Sequence, residues 1–206
     1  MATALAAAGA GKITLVDFDV VEESNLNRQI LFSESDLGKN KVEAAGKRLK
    51  ELNPDCEIVS LHAEINSLDK FEILLQERKD VNYIVLSADK PVDLVLWASA
   101  LCKKYSYKYI KCGYMAYQGL IGPLLGYHTK PYEEIFQSWA DNIRSQKDLI
   151  RNHNEEHMAP SMAATNAILA NIAAWELIKD ITEIVPSVLN EKRMLFNLKT
   201  MEMSYG

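Results

Sequence analysis

The chain has 206 residues, 48% of them hydrophobic and 25% charged, with 23 basic against 28 acidic side chains and a formal net charge of −5. That size and balance describe a folded domain with a real core and exclude disorder, a repeat array or low-complexity sequence. The acidic balance argues against a nucleic-acid partner, whose protein footprint is basic. No run is apolar and long enough to enter a membrane, and with no secretory signal the sequence reads as cytoplasmic.

Residues 2–8 read as the last turns of an Ala-rich helix stopped by Gly9 and Gly11. Ile13 to Val16 form a short apolar run ending in Asp17 and Asp19, the pattern of a buried parallel strand. From Lys39 to Leu52, Val42, Ala45, Leu49 and Leu52 recur three to four apart, which predicts an amphipathic helix closed by "NP". Glu57 to Leu61 follows as a strand, and Ser67 is placed to cap a helix reaching about Arg78. "VNYIVLSAD" is the next strand, Pro91 opens a helix ending near Tyr105, and "YKYIKCGY" is a strand again. This alternation predicts an α/β, Rossmann-like, doubly wound and mostly parallel sheet with helices on both faces.

The second half changes character. "GLIGPLLGYHT" fits a strand or hairpin, and residues 131–151 are a helical candidate opened by Pro131. "PSMAATNAILANIAAWELIKDIT" is helical and rich in small apolar residues, so it should be buried, and residues 192–204 look like a terminal hairpin. No composition break marks a second domain, so residues 1–206 read as one domain with a C-terminal helical and hairpin extension.

In doubly wound sheets ligands sit beyond the carboxyl ends of the strands. Asp17 and Asp19 lie at one such end and Asp89 at another. An acid after a strand suits the hydroxyls of an adenosine ribose, though such a pair also serves to solvate and cap a turn. Asn25, Arg28 and Gln29 follow, then Lys41 near the next helix start. An arginine fork and a lysine point charge can neutralise triphosphate oxygens, and Asp89 can take a hard cation such as Mg²⁺. A lysine on a helix is also often just solvated, and Asp89 before "KP" can simply cap the helix after it. The pattern carries the signal rather than any single residue.

Two stretches, "GAGKITLVDFDVVEESNLNRQILF" and "LGKNKVEAAGKRLKELNP", resemble the ubiquitin-activating-like adenylyltransferase superfamily of ThiF/MoeB/HesA type. "YIKCGYMAYQGLIGPLLGY" resembles its peptide-adenylating, microcin-type branch, and "APSMAATNAILANIAAWELIKDIT" the helix that returns to the sheet. The resemblance spans nearly the whole chain; residues 128–158 are least familiar and read as a variable insertion. It implies ATP and Mg²⁺ as cofactors and adenylation of the C-terminal carboxylate of a peptide or small ubiquitin-like or sulfur-carrier protein. It also implies a homodimer or higher oligomer. By the same resemblance Asp17 is the ribose acid, with Asp19 beside it. Asn25, Arg28 and Gln29 approach the phosphates, Lys41 is the phosphate lysine, and Asp89 helps place Mg²⁺; Arg28, Lys41 and Asp89 are the catalytic candidates.

This sequence departs from that pattern in two ways. The first strand, glycine-rich phosphate loop and most of the first helix expected before "AGAGKITLVD" are absent from it, and "AAAGAGK" does not replace them because no strand precedes it. Nor does any CxxC occur, so no zinc is expected; His128, His153, Glu156 and His157 have no ligand spacing that favours a metal. Cys56, Cys102 and Cys112 are too few and too scattered for a disulfide framework, and Cys112 reads as a small buried hydrophobe rather than a thioester nucleophile. Two alternatives to the enzyme remain open. A catalytically inactive scaffold or peptide-recognition module would keep the fold, and a nicotinamide-dependent oxidoreductase is suggested only by the acid after a strand.

Overall fold

A computed structural model describes residues 1–115, 117–146 and 163–206. The end of the 131–151 helical candidate and the start of the 160–182 helix lie outside the described residues. So do His153, Glu156, His157 and much of the 128–158 insertion. The chain divides into two compact units, one of Met1–Glu64 with Ser161–Ile181 and one of Ile65–Pro160 with Thr182–Gly206.

In the first unit, helix α1 (Ala2–Ala7) leads into strand β1 (Lys12–Asp17), followed by helix α2 (Lys41–Leu52) and strand β2 (Glu57–His62). β1 and β2 pair in parallel, Lys12 opposite Glu57 through to Asp17 opposite His62. Two parallel strands need a crossover between them, and α2 supplies it. This helix buries Val42, Ala44, Ala45, Gly46 and Leu49. Gly46 marks the close approach of helix to strand, because a Cβ there would collide with Ser60 Oγ. That hydroxyl is fixed by donating to Val42 O at 2.8 Å. Asn53, just past α2, donates from Nδ2 to Ala6 O at 2.7 Å and ties α1 to the unit. Helix α7 (Ala163–Thr182, numbered after α5 and α6 below) buries Leu169, Ala173, Ala174 and Leu177 together with a Lys179–Glu176 ion pair at 2.7 Å.

The second unit holds helix α3 (Leu68–Glu77), strand β3 (Tyr83–Leu86), helix α4 (Leu94–Tyr105), strands β4 (Lys108–Met115) and β5 (Gln118–Gly126), short helices α5 (Tyr132–Ile135) and α6 (Gln137–Ser145), and strands β6 (Met194–Asn197) and β7 (Glu202–Tyr205). Ser67 caps α3 as expected, its Oγ accepting from Lys70 N at 3.2 Å. The core is aromatic and aliphatic: Phe71, Leu75, Leu86, Val95, Leu101, Tyr107, Tyr109 and Leu125 are buried together. Tyr107 can be wholly buried because its hydroxyl donates to Ala98 O at 2.8 Å.

The expectation of a mostly parallel sheet is wrong. The strands form a two-stranded sheet, β1-β2, and a separate five-stranded sheet, β3-β4-β5-β6-β7. Among the described residues only β1–β2 and β3–β4 are parallel strand pairs; β4–β5, β5–β6 and β6–β7 are antiparallel. For β4–β5 and β6–β7 the reason is connection length. The few residues between Met115 and Gln118, and between Asn197 and Glu202, suit hairpins and cannot carry a crossover helix. The C-terminal hairpin is therefore part of this sheet and not an extension from it. Among the described residues β1 pairs only with β2, and β3 only with β4. The α/β, Rossmann-like character holds in the two parallel βαβ passages. Among the described residues no helix is long and apolar enough to cross a membrane.

Candidate functional site

The best-organised polar cluster of the first unit lies at the carboxyl end of β1. Asp17 closes the strand and accepts from the Asp19 amide at 2.9 Å, so the two acids form one tight turn. Backbone bonds then join this turn to the start of α2. Val21 N donates to Lys39 O at 2.8 Å, Gly38 N to Val21 O at 2.9 Å, and Lys41 N to Asp19 O at 3.0 Å. Lys41, the first residue of α2, is thereby held beside the acids, and its Nζ donates to Asp19 Oδ2 at 2.7 Å. The Lys41 side chain is only 13% exposed and that of Asp19 49%. With the carboxylate half in water the pair contributes little to stability, about 0–1 kcal/mol, so its consequence is placement of charge. A mostly covered ammonium at the end of a strand, opposed by one half-exposed carboxylate, is available to an incoming phosphate.

The segment "ESNLNRQ" folds into a 3-10 turn at Glu23–Asn25. Asn25 is buried, and its Oδ1 accepts from Glu22 N at 3.1 Å. Its side chain is thus engaged in shaping the turn. The amides of Arg28 and Gln29 donate to Asn25 O at 3.1 and 2.9 Å, which hangs both residues on that turn. Arg28 Nη1 donates to Asn27 Oδ1 at 2.9 Å and to Ser24 O, so the guanidinium is pre-oriented by its own loop while still half-buried. Asn27 O in turn accepts from Ala163 N, at the start of α7, at 3.0 Å.

Asp17, Asp19, Asn25, Arg28, Gln29 and Lys41 therefore all fall within the first unit, and Asp19 and Lys41 touch. Asp89 belongs to the second unit, in the exposed segment after β3, just before the cis Lys90–Pro91 peptide. A single open carboxylate of this kind fits Mg²⁺, which binds through one or two carboxylates plus phosphate oxygens and waters. Among the described residues no group of three or more His, Cys, Asp or Glu is arranged to hold a metal.

The cysteines are thiols, with Cys56 and Cys102 buried. Burial pushes all three above the ordinary range, Cys112 up to about 11. A thiol held protonated is a poor nucleophile. Next to it stands a residue whose placement the sequence pattern misses. β4 bulges between Ile110 and Cys112, so Lys111 escapes the simple alternation of the strand. Burial, and after it the nearby Arg193 charge, pull the Lys111 ammonium below its ordinary range, while Asp89 acts in the opposite sense.

Two parallel βαβ passages define a Rossmann-like α/β protein, with an acid–lysine corner at the end of one strand. The family pattern of ThiF matches residues 1–205, and the chain belongs to the ThiF family. Among curated proteins it is similar to the adenylyltransferase and sulfurtransferase UBA4 of Saccharomyces cerevisiae, 42% identical over 88 residues, which are 43% of this chain and 19% of that protein. It is also similar to the adenylyltransferase and sulfurtransferase MOCS3 of Drosophila yakuba, 59% identical over 54 residues, 26% of this chain and 12% of that one. Among solved structures, E. coli MccB with ATP superimposes with a TM-score of 0.83 at 29% identity, covering 99% of this chain and 58% of that chain. MccB in complex with N-formylated MccA gives 0.85 at 28% identity, covering 99% and 59%. The chain thus matches about a fifth or less of these curated relatives and under two thirds of these solved chains.

Proposed function

We propose that this protein catalyses ATP-dependent adenylation of the C-terminal carboxylate of a peptide or small sulfur-carrier protein. The observation that carries the reading is the Lys41–Asp19 corner at the end of β1, in a chain that matches the ThiF family along its length. ATP and N-formylated MccA, with which MccB is found in its solved structures, support the substrate classes.

In this reading Asp17 accepts from the ribose hydroxyls, with Asp19 holding Lys41 in place until phosphate takes over that ammonium. Arg28 and Lys41 neutralise the triphosphate. Gln29 lies next to Arg28, and Asn25 keeps the turn that presents both. Asp89 would hold Mg²⁺, which when bound offsets charge on the phosphates. A carboxylate oxygen of the substrate attacks the α-phosphorus, the bond from that phosphorus to the bridging oxygen breaks, and pyrophosphate leaves. Positioning and charge neutralisation are all the protein must supply. Residues 1–206 act as one adenylyltransferase-type domain with 128–158 as a variable insertion, in a cytoplasmic homodimer or higher oligomer.

The test is exchange of labelled pyrophosphate into ATP, alongside calorimetric titration of ATP–Mg²⁺. A panel of peptides and sulfur-carrier proteins with free C-termini is compared with the same panel amidated. Exchange that needs the free carboxyl supports the reading. No ATP binding, together with no exchange across the panel, overturns it.

A further inference from the structure

Asp17 has a neighbour across the sheet to which no role has yet fallen. In the parallel β1–β2 ladder it stands opposite His62, the last residue of β2. Ala63 N donates to Asp17 O at 3.2 Å, so the pairing runs to the end of both strands. Residues opposite one another in a ladder point to the same face, and neighbouring strands lie about 4.8 Å apart. The imidazole and the carboxylate therefore leave the sheet on one side, within reach of the same small ligand group.

The contacts of α2 identify that side. A Cβ on Gly46 would collide with Ser60 Oγ and come to 3.4 Å from Ile58 Cγ2, and Ser60 Oγ donates to Val42 O at 2.8 Å. Ile58, Ser60 and His62 alternate onto one face, so this is the face that α2 covers. Val42 belongs to the first turn of α2, and His62 stands about 6.6 Å beyond Ser60 toward the carboxyl end of the strand. His62 thus overhangs the start of the helix and is exposed, while Asp17 is half-buried. Asp17, Asp19, Lys41 and His62 all belong to the first unit, at the strand end where a doubly wound sheet takes its ligand.

The chemistry of that corner is one-sided without the histidine. A hydroxyl has a proton to give and lone pairs to fill, whereas a carboxylate can only accept. Asp17 and Asp19 can take the proton but offer nothing to the hydroxyl oxygen, and Lys41 already donates to Asp19. An imidazole always carries at least one N–H. We infer that His62 donates to a ribose hydroxyl of the bound nucleotide whose proton Asp17 accepts, so that the two strand ends read the sugar together. Naming the sugar as that of ATP rests on the adenylation reading. The hydroxyl can be the 2′ or the 3′, and the chemistry at the pair is the same.

The experiment is calorimetric titration of the full chain and of His62→Ala with the Mg²⁺ complexes of ATP, 2′-deoxy-ATP and 3′-deoxy-ATP. An exposed position of this kind tolerates truncation, and thermal melts check that the variant folds. His62→Ala should weaken ATP binding by roughly 3–10-fold, the scale of one neutral hydrogen bond. The penalty should vanish with the analogue that lacks the hydroxyl His62 contacts, and that analogue tells 2′ from 3′. A merely structural role would weaken all of them alike. Equal penalties for the three nucleotides, or unaltered ATP binding by His62→Ala, overturn the inference and leave the adenylation reading standing. A wild-type protein that binds none of them removes both. Hydroxyl-dependent ATP binding without pyrophosphate exchange for any free carboxyl substrate keeps the contact and removes the adenylation reading.

Discussion

The two units solve different problems with similar strands. In the first, neither strand has a fully buried residue, and much of the burial lies on α2 and α7 in small side chains such as Ala44, Ala45, Ala173 and Ala174. In the second, β5 is buried along nearly its whole length and packs into an aromatic core around Tyr107 and Tyr109. The first unit keeps Asp17 and Asp19 at a strand end and buries the Lys179–Glu176 pair on α7, while the second buries Arg193 among aromatic rings. Stability is therefore expected to depend most on the second unit, and nucleotide chemistry on the first.

The largest expected effect that sharpens this contrast is Leu125→Ala. Leu125 is 1% exposed within the aromatic core, and its truncation should lower unfolding free energy by about 2–5 kcal/mol in urea melts. Truncating the half-exposed Ile73 in the same unit should change it by no more than about 0.5 kcal/mol. Equal effects would mean the core is not where the stability lies.

Next in size is Asp17→Ala. In the proposed reading Asp17 is the ribose acceptor, and its loss removes a hydrogen bond to a charged group, about 1.5–3 kcal/mol, so ATP affinity measured by calorimetry should fall roughly 10–100-fold. The melting temperature should barely move, because Asp17 anchors only its own turn. A large loss of stability with intact ATP affinity would make the acid a structural cap.

Smaller still is the alkaline behaviour of Cys112. Its thiol is raised from 9.0 to about 11 by burial, so the protonated form belongs to the folded state. The resulting stabilisation is fully present below pH 9.0 and is lost as pH rises toward about 11. Iodoacetamide labelling followed by mass spectrometry should be slow at Cys112 at pH 8 and speed up when urea opens the fold. Fast labelling of the native protein at pH 8 would show an activated thiol and reopen a covalent role.

Local features were legible in the sequence because they depend on neighbours along the chain. Ser67 before an apolar helix and an acid closing β1 both reflect residues within one turn or strand. The Asp19–Lys41 contact follows from a crossover helix returning to the end of its own strand. Strand partners are another matter. "GLIGPLLGYHT" reads as a strand or hairpin, but its sequence does not say that β4 and β6 flank it on either side. Lys111 and Arg193 were missed for a related reason. A bulge shifts one out of alternation, and the other reaches its aromatic cage only through the pairing of β5 with β6 and the placement of α5 and α6. The helical candidate that begins at Pro131 breaks at Phe136, whose ring centre is 3.7 Å from the Arg193 guanidinium carbon.

The most direct measurement compares pyrophosphate exchange in the wild type, Arg28→Ala, Lys41→Ala and Cys112→Ala, at one substrate concentration and with folding checked by thermal melts. The account predicts that Arg28→Ala and Lys41→Ala each slow exchange by roughly 10²–10³-fold, the scale of one lost preorganised donor, while Cys112→Ala exchanges at nearly the wild-type rate. Exchange abolished by Cys112→Ala and retained by Arg28→Ala would contradict it.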